Sequence, residues 1–222
     1  MPTFYAVKLN TARNLLLGLP EPLAMSLARD QVSARLQALK ADVPEQAVSR
    51  YRAISPPMAA VIPEFQEIVD EIELSYVLGL FFSAAAAACV SIERLLNLAR
   101  IRLYPHHPAS KHLHGKGPFN SWHPNISALE TWGYLTPELA AELRYVYDHI
   151  RNPYLHSGGI ISVEKDAKRA IDAAYQTITV FLGFPKDLFT IGAGIECHNT
   201  SDPRFEVFYK AALQSSPENG VV

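Results

Sequence analysis

The sequence predicts an all-α fold, an up-and-down helical bundle with extra N-terminal helices and a short C-terminal extension. Three observations carry this. Apolar residues recur at helical spacing through most of the chain, prolines and glycines fall where helices should start and stop, and the alternating pattern of strands is sparse. With 222 residues, 49% of them hydrophobic and 19% charged, the chain has the length and composition to bury a sizeable core.

Leu23, Leu27, Val32, Leu36 and Leu39 predict an amphipathic helix over 21–41. Pro44 leads into a short helix around 45–53, which Ser55-Pro56-Pro57 ends. Pro63 suits the first turn of the next helix, with Glu64, Glu67, Asp70 and Glu71 on its solvated side. A long helix is then expected over 75–103, apolar nearly all round at first and amphipathic from Glu93 onward. Residues 104–124 are rich in Pro, Gly and His and read as a loop, followed by a helical stretch at Ile126–Trp132. Thr136-Pro137-Glu138 is a strong helix start, with a capping hydroxyl, a first-turn proline and an acid near the positive end. That helix carries Leu139, Leu143, Val146, Tyr147 and Ile150 on one side and delivers Arg151 and His156 at its far end. Ser162 and Glu164 open a helix over 163–182, with Ala167, Ile171, Ala174, Ile178 and Phe181 inward and Gly183 and Pro185 as its stop. Leu188–Cys197 reads as extended, and Asp202-Pro203 starts a last helix to about Leu213. The domain reading is a segment 1–60 packing on a bundle of 61–185, with an extension of 186–222.

Leu74 to Ile92 is free of charge over about the length of a bilayer span. Its alanine run, Ala84 to Ala88, drives insertion poorly, and Glu71, Glu73, Glu93 and Arg94 press on both ends. A central helix of a soluble bundle is therefore expected, with no membrane partner. Met1 to Asn10 does not read as a signal peptide, and Cys89 and Cys197 are too few for a disulfide framework, so a reducing cytoplasm is the expected compartment. Lys plus Arg total 20 against 22 Asp plus Glu, which excludes a global positive field. Any RNA contact is limited to a local patch or to a cleft built by oligomerisation.

The chain lacks Cys-x-x-Cys, His-Glu-x-x-His, a Gly-Lys-Ser/Thr phosphate loop, a Gly-x-Ser-x-Gly elbow and the Glu-x-x-His pair of di-iron bundles. An arginine precedes a histidine by five positions three times, at Arg102/His107, Arg144/His149 and Arg151/His156. Only the last has an asparagine, Asn152, after the arginine and ends a well-capped helix ahead of Gly158-Gly159. Positions five apart on a straight helix diverge by roughly 140°. Pro153 should bend the helix, and such a bend can bring Arg151 and His156 together.

Arg151-Asn152 followed by three residues and His156, on a late helix of an α-bundle, resembles the signature of HEPN (higher eukaryotes and prokaryotes nucleotide-binding) domains. Ala84–Ala99, with Ser91-Ile92-Glu93-Arg94-Leu95-Leu96, is similar to the central helix of that superfamily. The resemblance covers about residues 65–182; residues 1–60 and 186–222 have no identified counterpart. It implies a metal-independent endoribonuclease without cofactor, a homodimer whose two motifs share one cleft, with RNA as substrate and 2′,3′-cyclic phosphate and 5′-hydroxyl products. A toxin–antitoxin, antiviral or stress setting, with an antitoxin or inhibitor protein as partner, comes from the family alone. His156 would move a proton, Arg151 would brace the phosphate, and Asn152 would hold the imidazole or a phosphate oxygen. Arg144, two turns before Arg151, joins the cleft on this reading. The sequence departs from the common pattern in Pro153, and Tyr154 precedes the histidine, unlike the branch whose tyrosine after it is nucleotidylated.

Other readings stand beside these. Arg151, Asn152 and His156 can simply finish a helix C-terminus, and Arg144/His149 can be a solvated face paired with Glu142 or Asp148. His112, His114 and His123 can supply three imidazoles to zinc, although Lys111 and Lys116 would repel a cation. The same loop can instead contact RNA through Lys111 and Lys116, with Trp122 and Phe119 stacking on bases, or be merely polar. Tyr145, Tyr147 and Tyr154 can stack bases or pack a helix face, and Cys89 reads as a buried small side chain. A non-catalytic helical module that binds a nucleotide or protein partner is the competing function.

Overall fold

Proline sets the start of several helices. The computed structural model describes residues 44–57, 60–110, 122–155, 163–191 and 195–210. The helix expected at 21–41 lies outside them. The chain divides into two compact units, residues 1–50 and 51–222. Among the described residues are seven α-helices, and the fold is mostly α-helical. The first, α1 (Pro44–Ala53), crosses the boundary between the units.

In the second unit, α2 (Pro63–Val77) begins with Pro63 in its first turn and buries Phe65, Val69, Ile72 and Tyr76. The long helix expected over 75–103 is broken. α2 stops at Val77, and α3 runs from Phe81 to Leu103. Gly79 adopts φ +75°, and the amides of Gly79 and Leu80 bond back to Tyr76 and Ser75 at 2.9 and 2.8 Å. This closes the helix in a left-handed glycine cap. Apolar periodicity ran straight through that turn and hid it.

α3 is the central helix. It packs on α2, on α4 (Trp122–Thr131) and most extensively on α7 (Val163–Leu182). Ala84, Ala88 and Ala99 of α3 and Ala167, Ala170 and Ala174 of α7 are fully buried, and small side chains of this kind let helix backbones approach closely. Leu95, Leu96, Ile171, Ile178 and Phe181 supply the larger payload, each worth about 1.5–3 kcal/mol when buried. Every inward position expected on α7 is buried. α3 meets the length and composition of a membrane span, with 44% of its apolar window buried inside the protein.

α4 starts four residues earlier than the expected stretch at Ile126–Trp132, because Trp122 turns inward as its first residue. Its Asn125 is wholly buried. There it accepts a hydrogen bond from Arg100 Nε at 2.6 Å and donates to Asn97 Oδ1 at 3.0 Å. Burial lowers the Arg100 pKa, and Asn125 helps satisfy its buried guanidinium.

α5 (Pro137–Val146) starts as expected: Thr136 Oγ1 accepts from Leu139 N at 3.2 Å and Pro137 fills the first turn. After α7 the segment Leu188–Cys197, read as extended, contains two short strands. β1 (Phe189–Ile191) and β2 (Ile195–Cys197) form an antiparallel pair, and the last expected helix is represented by a π-helical turn, Phe205–Tyr209. Leu188, Phe189, Phe208 and Tyr209 join the hydrophobic core. Arg204 pins this extension: it is bonded to Asp187, to Asp202 and to Val180 O.

Candidate functional site

α5 does not continue as an α-helix into the Arg-Asn motif. After Val146 the backbone widens into a π-helical turn, Tyr147–Arg151, and then resumes as α6 (Asn152–Leu155). Pro153 supplies the reason. It has no N–H, and its ring crowds the carbonyl four residues earlier. In the wide turn the Asn152 amide bonds to Tyr147 O, five residues back, so the ladder opens where proline cannot close it. The expected distortion is thus present as an inserted residue in the ladder.

The turn aims Arg151 at α3. Its Nε and Nη2 donate to one oxygen of Glu93, Oε2, at 3.2 and 2.9 Å. Its Nη1 donates to Asn152 Oδ1 at 3.2 Å. Trp122 Nε1 donates to the same Glu93 oxygen at 3.4 Å, and the Arg151 guanidinium lies 5.2 Å from the Tyr147 ring centroid. The Arg151 and Glu93 side chains are 18% and 30% exposed, so the pair is half-shielded from solvent. Of the five N–H groups of a guanidinium, two remain without a partner among the described residues.

Beside this pair is a cleft of about 80 Å³, walled by Phe82, Ala85, Cys89, Val90 and Tyr154, with Arg151 and Glu93 at its polar end. The Phe82 and Tyr154 rings lie 5.8 Å apart. Phe82 and Val90 are exposed. Burial pushes the Cys89 thiol up to about 12, so the neutral thiol lines the wall and is no nucleophile. The Tyr154 hydroxyl is buried, with the Asp166 carboxylate as its neighbouring acceptor. Desolvation, reinforced by the nearby Asp166 carboxylate, pushes it up to about 12 and keeps it protonated.

A second polar pair flanks Arg151 on the side of Tyr147. His123 Nε2 lies 3.2 Å from Asp148 Oδ1, and the His123 ring meets the Tyr147 ring edge-on at 5.0 Å. Tyr147 therefore contacts both Arg151 and His123.

The expected site residues are distributed as follows. Arg151 and Asn152 are joined directly. Tyr154 lines the cleft. His156, Lys111 and Lys116 lie outside the described residues, as do His112 and His114 of the zinc reading. Among the described residues no cluster of three metal-ligating side chains occurs. Trp122 is corrected: it is fully buried, and its indole is committed to the core and to Glu93, so it offers no face to a base. Arg144 does not line the cleft beside Arg151. It bonds Glu130 of α4 at 2.5 Å, while Glu142 holds Arg169. His149 stacks on Tyr145 at 4.3 Å. His107, the histidine of the first Arg/His pair, is half-buried, stacked on Trp132 at 4.6 Å and bonded to Tyr134 Oη at 2.9 Å.

Sequence reasoning missed Glu93 as the partner of Arg151. The signal was present: Glu93 is the first charge after the charge-free run Leu74–Ile92. Nothing in the sequence linked His123 to Asp148, because their meeting depends on how α4 packs beside the π-turn. A scan against family models and searches of the curated proteins and of the solved structures find no match.

Proposed function

We propose that the chain is a metal-independent endoribonuclease of the HEPN type, cleaving RNA to 2′,3′-cyclic phosphate and 5′-hydroxyl ends. What supports the reading most is the Arg151–Asn152 pair on the π-turn, with two Arg151 N–H groups free of partners among the described residues and open to a phosphate oxygen. Glu93 fixes the guanidinium so that little reorganisation is needed when charge builds on the phosphorane oxygens. His156, five residues on, supplies the imidazole that moves a proton at neutral pH. Two copies facing each other bring two Arg151 side chains to one strand of RNA, which offsets a net charge of −2.

The same contact favours a second reading. Glu93 already neutralises Arg151, and the adjoining cleft is apolar, an arrangement that suits a non-catalytic module binding a protein partner. Labelled single-stranded and tRNA-like RNA, incubated with the protein in excess chelator, separates the two. The ribonuclease reading expects cleavage near neutral pH that vanishes in His156→Ala with an unchanged circular dichroism spectrum. Full cleavage by that variant sinks the assignment, and no cleavage by the wild type favours the binding module.

A further inference from the structure

We propose that the cleft beside Arg151 is a base subsite, which takes the pyrimidine ring of a nucleotide flanking the cut and prefers cytosine. The inference rests on the ribonuclease reading and deepens it. A nucleotide carries base and phosphate on one sugar, so a phosphate on Arg151 brings a base to the adjoining cleft. The residues that form it belong to α3, the π-turn and α6.

Phe82, Ala86 and Val90 follow one another at four-residue steps along α3, so they share a face. Phe82 and Val90 are 55% and 54% exposed, although Ala85 and Cys89 next to them are buried. The Tyr154 ring lies 5.8 Å from that of Phe82 and tilted to it by 33°. The two rings give a base an aromatic surface to lie along, and stacking of this kind accepts any base. Size then selects. An enclosed cavity of roughly 150 Å³ holds benzene. An open cleft of about 80 Å³ therefore grips part of one six-membered ring and has no room for the fused rings of a purine.

The polar end selects between the two pyrimidines. Glu93 Oε2 takes three donors, two from Arg151 and one from Trp122, whereas Oε1 takes none among the described residues. An ionised carboxylate oxygen only accepts. The amino group of cytosine donates to it, while the carbonyl that uracil carries at the same place sets acceptor against acceptor. Arg151 keeps its remaining N–H groups for the phosphate. Because Glu93 and Arg151 offset each other's charge, a neutral ring suits the space beside them better than a second anion does.

The test maps the cuts made in unstructured RNAs that carry each of the four bases, or an abasic nucleotide, at every position in turn. The wild type is expected to cut beside cytosine about 10–100-fold faster than beside uracil. Its kcat/KM falls by about as much when that cytosine is replaced by the abasic nucleotide. Ala86→Leu fills the cleft, and Phe82→Ala removes half of its aromatic surface at an exposed position. Each is expected to abolish most of the advantage of cytosine over the abasic nucleotide. If the wild type cuts RNA with no preference at either flanking nucleotide, or prefers another base, the base subsite is overturned while the ribonuclease reading stands. The same holds if either variant, folded by circular dichroism, keeps the advantage in full. If the wild type cuts none of these RNAs, both fall.

Discussion

Arg151 reaches Glu93 through a single carboxylate oxygen, with both Nε and Nη2 donating to Oε2. One oxygen receiving two donors, and the Trp122 indole as a third, ties the π-turn and the start of α4 to α3. Removing the carboxylate should therefore affect orientation before it affects charge. Glu93→Ala is expected to leave the Arg151 and Trp122 donors poorly satisfied and to cost about 1–3 kcal/mol by denaturant titration. On the ribonuclease reading it also lowers kcat by about 10²-fold through misplacement of the guanidinium. An unchanged kcat would show that Arg151 is not held for catalysis.

The π-turn exists because Pro153 cannot complete an α-helical ladder. In Pro153→Ala the constraint is gone, and the segment 147–155 is expected to relax toward regular α-helix, with Arg151 rotated off Glu93. Stability should hold or rise slightly while RNA cleavage falls. A structure of the variant that retains the Tyr147–Arg151 π-turn would place its cause elsewhere.

Gly79 closes α2 at φ +75°. A side chain there meets the left-handed penalty, so Gly79→Ala should cost about 1–2 kcal/mol. Thermal unfolding checks this, with a fall in Tm expected. A variant as stable as the wild type would mean that the break between α2 and α3 tolerates another backbone path.

His107 gives a pH dependence whose sign follows from burial. Desolvation first, and His106 second, lower its pKa below the usual 6.5. The folded state thus prefers the neutral ring, and the unfolded chain binds the proton at higher pH. The stability tied to His107 is complete above about pH 6.5 and is lost as pH falls from there through the depressed folded value. Denaturant midpoints between pH 7.5 and 5 should fall less steeply in His107→Gln than in the wild type. Equal slopes would contradict the half-buried neutral ring.

The helices that bury one face through unbroken periodicity were legible in the sequence. α7 follows its alanine, isoleucine and phenylalanine positions, and α5 follows its Thr136 cap and Pro137. The break at Gly79 was not, because Leu78 and Leu80 continue the apolar pattern through a turn decided by one glycine's dihedral. Trp122 was misplaced because its loop-like neighbours, His123 and Pro124, outweighed a single large apolar residue, whereas burial of the indole decides where α4 begins. The motif itself was legible as Arg151 next to Asn152. Its electrostatic partner was not, since Glu93 lies on another helix and only the packing of α3 against the π-turn brings the two together.

The most direct test of the central claim is the chemistry of the product ends when the wild-type protein cuts RNA in chelator. Internal transfer predicts a 2′,3′-cyclic phosphate and a 5′-hydroxyl, both absent with Arg151→Ala. Products bearing a 5′-phosphate and a 3′-hydroxyl, or cutting that survives loss of Arg151, would contradict it.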